Sequence, residues 1–479
     1  MSFMMLNIAG RSLSAQQLAM EVTGNNLANA TTTGYHNEIA NLVETPPIPS
    51  SQLNGSLQGQ GVSVDAITRA SNAFLARSVR TQLGTTGYWQ SMNTSLSQIQ
   101  NVFQEPSASG LSEAMGAFFN AWLTLSQTPS SLSARQAVID QGKNLASTFN
   151  SMANQITGEI QNINQSVVNT VQKINTITSQ IAQLNQQISA VTGAGGSANT
   201  LLDQRGTLMN QLSQLVNISY TVNPDQSVNI YLGSNALVIN QTAHSLMTSA
   251  PTTANSVDQI AFHDNPSQTL NASNGLQNGE LAGLLTAGNQ NLPGYLTSLD
   301  ALAGDLASAV NAQQEAGYTL NSATNGPIFF TSSLSSTAPV TASTIQVSST
   351  LTSQDVAAAQ NPNAPGDGSN ALTIANMIYQ PEISPTTGTL DTTSTGVTFN
   401  QFYTNLVGQV GNDGQQASNQ FASAQNTLNS LQNAQESATG VDVNEQSAQL
   451  IQEQQSYQAA AQLVSVEQST MASLLAAVS

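Results

Sequence analysis

"ITGEIQNINQSVVNTVQKINTITSQIAQLNQQISAV", residues Ile156–Val191, steps alternately by four and three along one apolar line. Its members are Ile156, Ile160, Ile163, Val167, Thr170, Ile174, Ile177, Ile181, Leu184, Ile188 and Val191, and Thr170 is the one polar member. That spacing follows a single face of an α-helix. At ~1.5 Å per residue, a helix over these positions would be about 54 Å long. A segment of that length makes a rod, not a globule.

Gly193–Ala198, "GAGGSA", breaks the pattern, and Leu201, Leu208, Leu212 and Leu215 restart it, so an antiparallel helical hairpin is expected. "ISYTVNPDQSVNIYLGSNALVI" then alternates apolar and polar residues about Asn223-Pro224-Asp225 and reads as a β-hairpin. Upstream, 70–104 and 111–128 are helical stretches parted at "EPSASG", and Pro129 leads a further helix to Phe149. Downstream, 275–316 reads as a helical pair, 327–370 as a Ser/Thr-rich, β-prone insertion, and 371–379 and 399–437 as helix again.

The two ends share a narrow seven-residue repeat: Leu6, Leu13, Met20 and Leu27 near the start, and Val443, Leu450, Tyr457, Val464, Met471 and Val478 at the close. Ala9, Gly10 and Ala30 lie near the first seam, and Ala461 and Leu475 follow four residues behind members of the second. Stripes this thin bury little area, so such helices are marginal in isolation and order by packing on other subunits; the plainer alternative docks both on one core. The expected assembly residues are Leu6, Leu13, Met20, Leu27, Leu450, Tyr457, Val464, Met471 and Leu475.

The expected fold is therefore mainly α with small β parts: an elongated multidomain rod with paired N- and C-terminal helices as a coiled coil, a central helical bundle carrying a long heptad hairpin, a β-rich hairpin and an insertion. Its expected divisions are 1–45 with 438–479 as the terminal coiled-coil domain, 46–326 with 371–437 as the helical bundle bearing a β-hairpin near 217–270, and 327–370 as the insertion.

Charged residues supply only 7% of the 479, where roughly 25% is usual, so Ser, Thr, Asn and Gln must cover the surface. All eight Lys and Arg lie at or before Arg205, while seventeen of the 26 acidic residues follow it. Phosphate binding needs clustered cations, and none cluster along the sequence, which argues against nucleic acid and anionic lipid. The absence of Cys excludes disulfides and thiolate chemistry. The N-terminus lacks a basic n-region and a continuous apolar run, and no stretch approaches the ~18 apolar residues of a membrane span.

His36, His244 and His263 make no HExxH spacing, His263-Asp264 is a lone pair in a polar loop, and neither a phosphate-binding Gly loop with its Lys nor GxSxG occurs. No catalytic set, metal site or cofactor is expected.

Asn25-Asn26-Leu27-Ala28-Asn29, a short spacer, then Gly34-Tyr35 resembles the N-terminal signature of the bacterial flagellar axial proteins, the family of rod, hook and hook-associated subunits. Short Asn and Gly residues suit a helix exit, because they cap helices and tolerate left-handed turns. Val441–Glu445, Leu450-Ile451 and Gln455–Ala459 resemble that family's closing segment. Leu201-Leu202-Asp203-Gln204-Arg205 is similar to the LLDQR segment of its FlgK-type hook-associated members, as are Phe118-Phe119, Pro129 with Arg135, Leu145-Ala146, Leu302-Ala303, Val310-Asn311 and Gly317. The likeness covers most of the chain outside 225–270 and 327–370. It departs at Thr33 (often Pro in the family), Asn37 (often basic) and Gln314 (often His).

The resemblance implies a structural subunit of the bacterial flagellum at the hook–filament junction, self-assembling into a ring. Its implied partners are hook protein, the next hook-associated protein and an export chaperone. The implied location is extracellular, reached through the flagellar type III apparatus without a signal peptide. Another axial subunit of hook or rod type would carry the same ends. A secreted adhesin or enzyme with flagellar-type ends would place its activity in 225–270 or 327–370.

Overall fold

The computed structural model describes residues 2–49, 57–103, 105, 107, 110–320, 323–335, 338–380, 383 and 396–478. The break expected at 105–110 lies partly outside them. The chain is mainly helical and elongated, with small antiparallel sheets.

The quoted stretch belongs to one helix, α4 (Leu132–Gly193), of 62 residues. The sequence reading separated a helix ending at Phe149 from the rod beginning at Ile156. No Pro interrupts the residues between, and the helix runs through for about 93 Å. Ser131 caps its start, accepting from the Ala134 amide. The buried line follows Ile156, Ile160, Ile163, Val167, Thr170 and Ile174, then passes to Thr178, Ile181, Asn185 and Ile188, leaving Ile177 and Leu184 at the margin. A strict seven-residue repeat drifts against 3.6 residues per turn, and over four heptads that drift selects the neighbouring residue.

Helix α5 (Asn199–Leu215) packs back on α4 as the hairpin partner. Beyond it, β5 (Ser219–Val222), β6 (Val228–Leu232), β7 (Asn235–Ile239) and β8 (Thr242–Ala243) form a meander in that order. Three further strands, β9 (Leu246–Ser249), β10 (Gln259–Phe262) and β11 (Asn265–Thr269), make a second sheet with β10 central. The one hairpin expected here is thus the first half of a larger β region.

Upstream, Asn72 caps α2 (Ala73–Gln100) through the Leu75 amide, and α3 (Leu111–Gln127) follows. The pair expected at 275–316 is joined end to end: α6 (Glu280–Thr286) passes through a π turn at Ala287–Asn291 into α7 (Leu292–Ala316). In 327–370, β12 (Phe330–Ser332) pairs with β13 (Ile345–Val347), and α8 (Ser369–Asn376) closes the segment. Phe329 and Phe330 meet Phe118 at centroid distances of 5.7 and 5.5 Å, so this segment contributes to the main core. Helix α9 (Phe399–Thr439) opens with a Thr398–Gln401 capping box and packs along α2.

The terminal helices α1 (Ser2–Ala28) and α10 (Val443–Val478) pack along each other. Between α1 and α2 the chain forms a two-stranded arm, β1 (Glu38–Glu44) against β4 (Val62–Arg69), extended by β2 (Ile48–Pro49) against β3 (Leu57–Gln58). The sequence reading assigned no strands there, although "VSVDAITR" holds Val62, Val64 and Ala66 at period two.

Candidate functional site: the joint at the end of the N-terminal helix

Helix α1 stops where Asn29, Thr32 and Gly34 take over, and the motif side chains explain how. The Asn29 amide donates to the Asn25 carbonyl and Oδ1, both at 3.0 Å, which turns the chain back on the last helical turn. Asn26, 1% exposed, is the hub. Its Oδ1 accepts from the Tyr35 hydroxyl at 2.8 Å and the Glu38 amide at 3.0 Å. Its Nδ2 shares two hydrogens among Asn37 Oδ1 (2.8 Å), the Glu38 carbonyl (2.7 Å) and Gln446 Oε1 (2.9 Å). One amide therefore ties the end of α1 to the exit turn, the start of β1 and the first turns of α10. Burial, then the charges of Glu38 and Asp203, pushes Tyr35 up to about 12, which keeps its hydroxyl a donor.

Gly34 has φ +83, and a Cβ there would stand 2.6 Å from Thr207 Oγ1, so glycine is required for both conformation and space. That close approach brings the N-terminal motif onto LLDQR. Asp203 Oδ2 accepts from the His36 amide at 3.2 Å, its Oδ1 lies 2.8 Å from His36 Nδ1, and Arg69 Nε donates to the same oxygen. Two motifs 167 residues apart in sequence thus meet at one carboxylate.

Arg205, two residues or just over half a turn beyond Asp203 on α5, points to the other side of that helix. Its Nη1 donates to Asn185 Oδ1 (3.0 Å) on α4 and to the Gln226 carbonyl (2.6 Å) in the β5–β6 turn. Asn185, fully buried, donates in turn to the Val228 and Asn240 carbonyls and accepts from the Val228 amide. Arg205 therefore clamps helix hairpin to sheet. Leu201 and Leu202 are half-buried beside it, and Gln204 is exposed.

Of the expected assembly residues, Leu13, Met20 and Leu27 on α1 and Leu450, Tyr457, Val464 and Met471 on α10 are half-buried, while Leu6 and Leu475 are exposed. The fully buried contact consists of Ala9, Ala15, Ala19, Val22, Thr23 and Asn26 from one helix and Gln446, Glu453, Ala460 and Glu467 from the other. Thr23 Oγ1 donates to Glu453 Oε1 at 3.0 Å.

Sequence reasoning missed His36, Arg69, Asn185, Gln446 and Glu453. Only Asn185 carried a local signal, as a polar residue beside the apolar stripe. The sequence also showed no cation cluster. The fold makes one: α2 packs on α5 and brings Arg80 near Arg205, Arg69 reaches the same place from the end of β4, and Arg77 and Arg80 both stand over the Tyr220 ring. Elsewhere, His244 rather than His263 pairs with Asp264, at 2.7 Å. Among the described residues no three His, Cys, Asp or Glu stand close enough to hold a metal, and no helix is long and apolar enough to cross a membrane.

Residues 96–329 match the family model of the flagellar hook-associated protein FlgK helical domain, and residues 6–36 match that of the flagella basal body rod protein. The flagellar hook-associated protein 1 of Bacillus subtilis is 28% identical, with 97% of this chain and 96% of that protein covered. Along nearly its whole length the chain is similar to the flagellar hook-associated protein 1 family. The Salmonella typhimurium member is 29% identical over 66% of this chain and 57% of its own length. The hook junction protein FlgK from Burkholderia pseudomallei superposes with a TM-score of 0.66 at 17% identity, over 75% of this chain and 99% of that one, a likeness of fold. Gly34, Tyr35 and His36 fall inside the rod-protein match and Asp203 inside the helical-domain match. In this chain the His36–Asp203–Arg69 contact is therefore the seam between the two matched parts.

Proposed function

We propose that this chain is a structural, non-catalytic subunit of the bacterial flagellum that forms the hook–filament junction. The observation that carries the reading is the terminal pair. α1 and α10 pack through small and polar residues and leave the apolar stripe half-covered, the state expected of helices that finish their packing on neighbouring subunits. On this reading the terminal pair, with 1–45 and 438–479, is the assembling domain. The stripe residues become ordered contacts as each copy joins, and buried apolar area offsets the entropy of fixing them. The body, 46–326 with 371–437 and the 327–370 segment, folds beforehand as the rigid outer part.

The partners that follow are further copies in a ring, hook protein below, the next hook-associated protein above, and a chaperone during export through the flagellar type III channel. The likeness to the flagellar hook-associated protein 1 family supports these roles. Deleting the gene and imaging the cells tests the reading: hooks without filaments, with monomeric flagellin in the medium, are expected. Loss of hooks would move the subunit down the axis, and normal filaments would overturn the assignment.

A further inference from the structure

Between α2, α5, β5 and the end of α9 lies an open cleft of about 1050 Å³, lined by Arg69, Arg80, Arg205 and Tyr220 among others. Arg80 stands 5.0 Å and Arg77 5.9 Å from the Tyr220 ring centroid, so four of the chain's eight cations gather here. Arg69 has its carboxylate in Asp203. Among the described residues Arg77, Arg80 and Arg205 have none within ion-pair distance, although Glu436 lines the cleft and Asp225 attracts Arg205. Burial, then the push of Arg80 and Arg69, lowers Arg205 to about 10. A walled cleft with such a field draws anionic groups.

Phe74, in the first turn of α2, is 77% exposed and sits three residues before Arg77, on the same surface of the helix. An exposed aromatic beside Arg and Tyr is the composition enriched at interface centres.

We propose that Phe74, Arg77, Arg80 and Tyr220 form a docking surface for an acidic segment of a second copy of this chain, drawn from its residues 206–479. Charge names the occupant. Residues 206–479 carry seventeen acidic groups and no Lys or Arg, whereas residues 1–205 hold all eight cations. Copies that meet basic cleft to acidic flank make a heterologous contact, the type that closes into a ring. Arg77 and Arg80 meet the partner's carboxylates, and Phe74 packs on apolar atoms between them. The inference rests on the reading of the chain as a ring-forming flagellar subunit, and adds which face meets which.

The test places photoreactive benzoyl-phenylalanine at position 74 of the full chain, expressed in a strain lacking its own copy, with flagella isolated and irradiated. A dimer-sized adduct whose partner peptide falls within residues 206–479 is expected, and Arg77→Glu should cut its yield at least fivefold. Both substitutions are at exposed positions and leave the Asn72 cap in place. An adduct with a different flagellar protein, no adduct from chains present in the flagella, or a yield unmoved by Arg77→Glu would overturn the docking surface alone. Absence of the unsubstituted chain from isolated flagella would instead overturn the subunit reading beneath it.

Discussion

Replacing Asn26 with Ala removes the single amide on which four segments converge. Gln446, 3% exposed, loses the donor to its Oε1, and the Glu38 amide loses its acceptor. An orphaned neutral group costs about 1–3 kcal/mol, and water reaches half-buried Glu38 more readily than Gln446, so the joint should lose about 3 kcal/mol. That figure corresponds to roughly a hundredfold change in a local opening equilibrium. The main core runs through α2–α4, α7 and α9 and contains none of these groups, so the loss should be confined to the joint.

Native-state hydrogen exchange is the assay. Amides in 20–28 and 446–453 should exchange roughly a hundredfold faster in Asn26→Ala, with those of α4 unchanged. Asn26→Asp should be no milder: it keeps acceptors for Tyr35 and Glu38 but sets a carboxylate against the Glu38 carbonyl. Protection within threefold of the original at both terminal segments would refute the hub. Equal loss along α4 would refute the claim that the joint is energetically separate.

Gly34→Ala should destabilise the joint by about 1–3 kcal/mol through the positive φ and the 2.6 Å approach to Thr207 Oγ1, and adding Thr207→Ala should recover the steric part alone, read by denaturant midpoint in a double-mutant cycle. Tyr295→Phe removes a 2.7 Å hydrogen bond from a buried hydroxyl on α7 to Asp413 on α9 and should cost about 1–2 kcal/mol in chemical denaturation. Asp367 feels the upward push of burial, but hydrogen bonds from the Ser369 hydroxyl and the Ser369, Gln360 and Asn361 amides outweigh it and hold the carboxyl down at about 2. A depressed carboxyl stabilises above its ordinary value near 4 and loses that effect as pH falls towards 2. Asp367→Asn should therefore lower the thermal midpoint at pH 5 and lower it much less at pH 2; an equal drop at both would mean that charge is irrelevant.

What could be read from the sequence divides along the range of the interactions. Period and breakers are local, so the helix of the quoted stretch, the Gly193–Ala198 turn and the alternation after Ile218 were legible residue by residue. Where an element ends without a breaker the signal fails, and α4 absorbed a boundary that composition alone suggested. The site was legible as two motifs and illegible as one joint. Nothing in "TGYH" or "LLDQR" says that His36 and Asp203 lie 2.8 Å apart; that depends on where α5 lies against the exit of α1. The same holds for the cations, since Arg80 and Arg205 are 125 positions apart and become neighbours only through helix packing.

The terminal pair poses the sharpest energetic question, because its buried line is the wrong one for a self-sufficient coil. Among the described residues of α10, Gln446, Glu453 and Glu467 occupy three of the four buried positions, spaced by sevens, and buried polar residues at a helix seam fix register at a cost in stability. The apolar line four residues behind, Leu450, Tyr457, Val464 and Met471, is only half-covered, and Ile451, Leu463, Val466 and Leu475 remain exposed. Completing the burial of one such side chain gains about 1 kcal/mol, so four or five per helix are enough to offset the ordering of a few side chains and turns only when several neighbours contribute. Val464→Asp sets a charge in that line without touching the body. It should abolish incorporation into flagella while the purified chain keeps its full helical circular dichroism. Normal incorporation would mean the stripe meets no neighbour, and lost helicity in the isolated chain would mean that it already serves the monomer.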